Sequence, residues 1–127
     1  MKKKVFVTGG CGYIGTSLVP LLLSKGYDVT VYDLLQSGGD GIVHNFASPG
    51  FKFIKGDILD KQLLAESIKD HDIVVHLAAI VGLRACNRDE ELTYKINHQG
   101  TKNVIDCLDG SQFLIYGSTG SNYGSVE

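Results

Sequence analysis

Four of the first fifteen residues are glycines, and they fall between a run that reads as a strand and one that reads as a helix. Val5-Phe6-Val7-Thr8 is short, apolar and β-branched, the pattern of a buried strand. Tyr13 to Lys25 predicts a helix with Ile14, Leu18, Leu21 and Leu22 on one face, closed by Gly26. The intervening Thr8-Gly9-Gly10-Cys11-Gly12-Tyr13-Ile14-Gly15 fits G-x-G-x-x-G from Gly10 and G-x-x-G-x-x-G from Gly9. Placed between strand and helix, such a loop makes a tight turn and lets the backbone come close to a pyrophosphate at Gly12. Gly15 lets the helix settle on the strand, and the first helical N–H groups, those of Tyr13 and Ile14 among them, face the anion.

The rest of the chain repeats the alternation. Val29-Thr30-Val31-Tyr32, Phe51-Lys52-Phe53-Ile54, Ile73-Val74-Val75-His76-Leu77 and Phe113-Leu114-Ile115-Tyr116 read as four further strands. Asp60 is placed to cap a helix running to about Lys69, and Ser37 to Gly50 reads as irregular. The longest helix is expected from about Asp89 to Leu108, with Leu92, Ile96, Val104 and Leu108 as its stripe. Gly100 interrupts that stripe, which predicts a close approach of helix to sheet. Pro20 should bend the first helix locally. Continuous apolar strands separated by helices predict an α/β fold: a Rossmann-type, doubly wound parallel sheet in the order 3-2-1-4-5, forming one domain over residues 1–127.

Such a fold binds a dinucleotide across its switch point. Asp33, at the end of the second strand and roughly 20 residues beyond the loop, is placed to accept hydrogen bonds from an adenosine ribose, with Leu34 beside it. A carboxylate repels a 2′-phosphate, and no Arg or Lys occurs between Leu34 and His44, so the cofactor expected is NAD rather than NADP. A net charge of −2 excludes the basic footprint of a nucleic-acid binder. No apolar run approaches membrane-spanning length, and no secretory leader is legible. Three cysteines lack metal-ligand spacing and make no disulfide framework, so no metal is expected and a cytoplasmic location is.

With these motifs the chain resembles the extended short-chain dehydrogenase/reductase family, the NAD-dependent nucleotide-sugar epimerases and dehydratases. The resemblance covers nearly the whole chain, as the N-terminal part of such an enzyme. It implies that Gly9, Gly12, Tyr13 and Ile14 hold the pyrophosphate, and that Asp57 and Ile58, in Gly56-Asp57-Ile58, contact the adenine. Leu77, Ala78 and Ala79, in His76-Leu77-Ala78-Ala79, would line the nicotinamide-ribose side with Val81 beyond them. Asn97, in an N-x-x-G-T match ending at Thr101, would support the site from behind. Ser118-Thr119-Gly120-Ser121-Asn122-Tyr123-Gly124 is similar to the family's S-[ST]-x-x-x-Y-G segment; the match implies Ser118 at the cofactor and Thr119 as the catalytic hydroxyl.

The family's general base is a tyrosine made useful by a lysine four residues on. Tyr13, Tyr27, Tyr32, Tyr94, Tyr116 and Tyr123 are followed at that position by Ser17, Val31, Gln36, His98, Gly120 and Glu127, so the pair is absent. The expectation is the NAD-binding part of an epimerase or dehydratase that oxidises and re-reduces a sugar carbon, with a nucleotide sugar as substrate of the full enzyme and the chain inactive alone. Self-association through an uncovered face of the last two strands is expected too. A stand-alone NAD-binding module and a short-chain reductase of small alcohols or ketones are the alternatives.

Overall fold

The computed structural model describes residues 1–124; the expected domain, 1–127, thus includes three residues that lie outside the described ones. Five strands, β1 (Lys4–Thr8), β2 (Asp28–Asp33), β3 (Phe51–Lys55), β4 (Ile73–His76) and β5 (Phe113–Tyr116), form one sheet in the order β3-β2-β1-β4-β5. Every neighbouring pair is parallel, with Val7 opposite Val31 and Val75, and His76 opposite Tyr116. This is the predicted doubly wound order. The chain turns from one half of the sheet to the other between β3 and β4, so the C-terminal ends of β1 and β4 border the crevice where such sheets take their ligands.

Helices cover both faces. On one, α1 (Tyr13–Ser24) packs Val19 against Val5, Val7, Val29 and Val31. On the other, α2 (Lys61–Ile68) and the long helix pack Leu64, Ile68, Ile96 and Val104 against Phe6, Tyr32 and Val74. Asp60 caps α2 as expected, its carboxylate accepting from the N–H of Leu63 at 3.1 Å. The buried side of α1 differs from the predicted stripe. Gly15 and Val19 are buried, with Leu18, Leu22 and Leu23 beside them, whereas Ile14 and Leu21 are exposed. Gly15 sets this rotation: a Cβ there would overlap the backbone of Gly10, so the glycine must face the loop, and Ile14 and Leu21 lie about a third of a turn away.

The stretch after β2 is more ordered than the sequence suggests. Asp40–Ala47 forms 3-10 turns that bury Ile42 and Asn45 beside α1 and β3. The short helix α3 (Leu83–Arg88) precedes the long helix, which is built from α4 (Glu90–Tyr94), a π-helical turn (Lys95–Gly100) and α5 (Thr101–Asp106), with helical dihedrals at both junctions. Leu92, Ile96, Val104 and Leu108 do face the core. Gly100 marks a close approach, but the partner is Ile58 in the loop after β3 rather than a strand: a Cβ would sit 2.8 Å from Ile58 Cγ1. At the other edge, β5 leaves Phe113, Ile115 and Tyr116 exposed.

Gly100 therefore trades helix propensity for contact with Ile58. Gly100→Ala regains about 1 kcal/mol of propensity and introduces an overlap worth about 1–3 kcal/mol. A net loss of about 1 kcal/mol, seen as a Tm lower by about 3–5 °C in thermal melts, is expected; a rise would show that Ile58 yields freely.

Candidate functional site

A cleft of about 650 Å³ opens at the C-terminal ends of the central strands. Every residue that the sequence assigns to the cofactor lines it except Asn97 and Ser118. Its floor is the glycine loop. Gly9 has φ +69°, and a Cβ there would lie 2.6 Å from the backbone N of Ala78, so loop and β4 end touch through main chain alone. The N–H of Gly9 is held by the carbonyl of Tyr32 at 3.0 Å, and that of Gly12 by the carbonyl of Gly9 at 3.1 Å. Gly12 is the N-cap of α1 and makes no side-chain cap. The first-turn N–H groups, of Tyr13 and Ile14 among others, thus lack both intrahelical partners and a cap, and they stand beside the cleft with the positive end of the helix dipole.

One wall comes from the ends of β2 and β3. Asp33 accepts from the N–H of Cys11 at 3.0 Å through Oδ2 and from that of Leu35 at 2.7 Å through Oδ1. It fastens the glycine loop to the β2 end, and each oxygen keeps a second lone pair for a ligand hydroxyl. Burial pushes the neighbouring Cys11 thiol up to about 12, and the Asp33 charge adds to this. Leu34 lines the cleft next to it. Asp57 uses Oδ1 to accept from Leu59 N–H at 2.9 Å, closing an Asx-type turn that leaves Oδ2 without a protein donor. The carbonyl of Asp57 accepts from the Tyr32 hydroxyl at 2.8 Å, and that of Ile58 from Asn103 Nδ2 at 3.0 Å. Burial raises the Tyr32 phenol to about 12, helped by Asp60 and Asp57, so it remains a donor.

The opposite wall is Leu77, Ala78, Ala79, Ile80 and Val81, beyond β4. Asn97 stands behind it: its side chain donates to the carbonyl of Ile80 at 2.9 Å and accepts from the Ile80 N–H at 2.8 Å. Asn97 lies on the π-helical turn, a local widening common at functional positions. His76, expected to pack within the sheet, is buried there and also bridges two hydroxyls, Thr8 Oγ1 at 2.6 Å from Nδ1 and Thr101 Oγ1 at 2.9 Å from Nε2.

Ser118 and Thr119 follow β5 on the same edge of the sheet but are exposed and outside the cleft lining. Thr119 Oγ1 accepts from Ser121 N–H at 3.1 Å, and Ser118 Oγ accepts from Asn122 Nδ2 at 3.2 Å, around a 3-10 turn (Gly120–Tyr123). Gly117, just before them, donates to the carbonyl of His76 at 3.2 Å, which puts the segment beside the β4 wall. Sequence reasoning missed Tyr32 and Asn103, which hold the walls through contacts no local pattern encodes. Gln36 and Ser37, also on the cleft, sit in the glycine-rich stretch that read as irregular. Among the described residues no group of His, Cys, Asp or Glu could hold a metal ion, and no helix is long and apolar enough to cross a membrane.

Comparison with known proteins agrees with this geometry. The NAD dependent epimerase/dehydratase family matches residues 5–127. A UDP-N-acetyl-alpha-D-glucosaminuronate decarboxylase of Bacillus cytotoxicus is 34% identical over 98% of this chain and 39% of its own length. A decarboxylating sterol-4-alpha-carboxylate 3-dehydrogenase of Bos taurus is 37% identical over 94% of this chain and 31% of its own. Among solved structures, DesIV, a dTDP-glucose 4,6-dehydratase from Streptomyces venezuelae with NAD bound, superposes with a TM-score of 0.89 at 30% identity, covering 98% of this chain and 42% of that one. The chain thus spans no more than about two fifths of the curated relatives named here.

His76 gives the site a pH signature. Burial lowers its pKa from 6.5 to about 4, so the folded state holds it neutral while the unfolded chain protonates it near pH 6.5. The folded pKa is the depressed one, so the associated stability is complete above about pH 6.5 and is lost as the pH falls through about 4. It amounts to about 3 kcal/mol in all. Burial lowers His71 in the same direction. Thermal melts between pH 7 and pH 4 are expected to show a falling Tm whose slope is smaller in His76→Gln; an unchanged slope would exclude His76 as its source.

Proposed function

The chain belongs to the NAD dependent epimerase/dehydratase family, and from that premise we propose that it forms the NAD-binding part of a nucleotide-sugar epimerase or dehydratase. The observation that carries the reading is the uncapped N-terminus of α1, set in a cleft with a carboxylate on one side and an apolar wall on the other. A pyrophosphate suits the first, a diol the second, and a flat ring the third. Bound there, NAD supplies an acceptor that takes a hydride from an alcohol carbon and can return it.

In this proposal Gly9 and Gly12 let the loop backbone reach the pyrophosphate, and the N–H groups of Tyr13 and Ile14 donate to it. Asp33 accepts from the adenosine ribose with its free lone pairs, beside Leu34. Asp57 Oδ2 and the backbone at Ile58 face the adenine. Leu77, Ala78, Ala79 and Val81 line the second nucleoside, Asn97 keeps Ile80 in place behind them, and Ser118 closes that end. Thr119 is the catalytic hydroxyl, hydrogen-bonding the sugar oxygen on the carbon being oxidised. Its exposed position on the sheet edge next to the β4 wall leaves it open to a substrate lying over that wall. The nucleotide-sugar class is supported by the UDP-sugar and dTDP-glucose enzymes among the similar proteins.

The 127 residues contain no tyrosine with a lysine four positions on, so the general base is not among them. The chain by itself is therefore expected to give no turnover of any sugar nucleotide in a coupled assay; robust turnover would overturn the assignment of the base elsewhere. The cofactor assignment has a sharper test. Asp33→Ala removes the ribose acceptor and the charge that repels a 2′-phosphate, so the preference for NAD over NADP should fall about tenfold in binding titrations. Equal changes for both would show that Asp33 serves only to hold Cys11 and Leu35.

A further inference from the structure

One buried hydrogen-bonded chain is left over once the cleft residues have been assigned. Thr8 Oγ1 lies 3.2 Å from the N–H groups of both Leu77 and Ala78 and 2.6 Å from His76 Nδ1. His76 Nε2 lies 2.9 Å from Thr101 Oγ1, which donates to the carbonyl of Asn97 at 2.7 Å. Asn97 in turn grips Ile80 through both its N–H and its carbonyl. Thr8 is fully buried and His76 is 2% exposed, so both are shielded from bulk solvent.

The direction of every bond follows from donor and acceptor count. Thr101 spends its proton on Asn97, so toward His76 it can only accept, and Nε2 must carry the imidazole hydrogen. Nδ1 is then an acceptor and takes the Thr8 proton, which turns the lone pairs of Thr8 toward Leu77 and Ala78. A hydroxyl is otherwise a free rotor. The Asn97 carbonyl fixes the Thr101 rotor and the imidazole fixes that of Thr8, so one chain of bonds holds the backbone at Leu77, Ala78 and Ile80.

We propose that His76 is a positioning residue for the nicotinamide end of the bound cofactor: it sets the cleft wall Leu77–Ile80 by bridging Thr8 and Thr101. This rests on the NAD-binding reading above. The geometry separates the two ends of the ligand. Asp33 and Asp57 serve the side at β2 and β3, whereas everything the His76 bridge holds lies on the side of β4. A dinucleotide draped across the switch point puts its adenosine on the first and its other nucleoside on the second. ADP, which has the adenosine and both phosphates but no part of the second nucleoside, should therefore be indifferent to His76.

The test is calorimetric titration of the purified protein with NAD and with ADP. His76→Leu and Thr101→Val are each expected to weaken NAD about tenfold, the scale of a disrupted buried hydrogen-bond pair, and to leave ADP within about twofold. Thr101→Ser, which keeps the hydroxyl, should restore NAD affinity; because it and Thr101→Val leave the imidazole in place, the test survives a misfolded His76→Leu. Equal loss of both ligands, or loss of neither, overturns the positioning role while leaving the NAD site standing. If the unsubstituted protein binds neither ligand, the proposed function itself fails, and this inference with it.

Discussion

Backbone packed directly on backbone, where the glycine loop meets the ends of β1 and β4, governs the rest of this fold. At Gly9 a side chain would run into the main chain of Ala78, and at Gly15 into that of Gly10. Because those atoms are absent, α1 sits low on the sheet and is rotated so that Gly15 and Val19 face inward. Its N-terminus then points into the crevice between the two halves of the sheet. The solvent exposure of Ile14 and Leu21 is a by-product of the same rotation, not a fault in the core.

Several strips of chain that border the cleft are pinned by a side chain reaching their backbone. Tyr32 holds the carbonyl of Asp57, Asn103 that of Ile58, Asn97 both groups of Ile80, and Asp33 the N–H of Cys11. Loops next to a binding surface would otherwise present backbone groups with nothing to bond. Spending interior polar side chains on them frees the cleft-facing groups for a ligand. The π-helical turn fits this scheme, for it carries both Asn97 and Gly100, one gripping the β4 wall and the other meeting Ile58.

The strands, α1, α2 and the sheet order were legible because each depends on local periodicity, end signals and general rules of connection. Phe113–Tyr116 was placed to the residue, and Asp60 was identified as a cap from its type and position. The face of α1 was misread because an apolar stripe records hydrophobicity, while the rotation is decided by one missing Cβ. Gly100 was seen to need a neighbour, but Ile58 could not be named: nothing in a helix pattern specifies which loop will pass beneath it. The His76 bridge was beyond reach for the same reason, since its two hydroxyl partners lie on different elements. The cleft lining read better than its supports did, because the motifs that line the cleft are contiguous and the residues behind them are not.

The distances along the chain between these partners carry a kinetic meaning. The glycine loop, α1 and β2 are neighbours in sequence, yet Thr8 and His76 are 68 residues apart and Asn103 and Ile58 are 45 apart. Bringing such ends together must overcome loop entropy before any contact offsets it, and parallel pairings of this kind fold slowly. The glycine turn can therefore take shape while the chain is still half-assembled, and the second wall of the cleft forms only when β4 docks on β1.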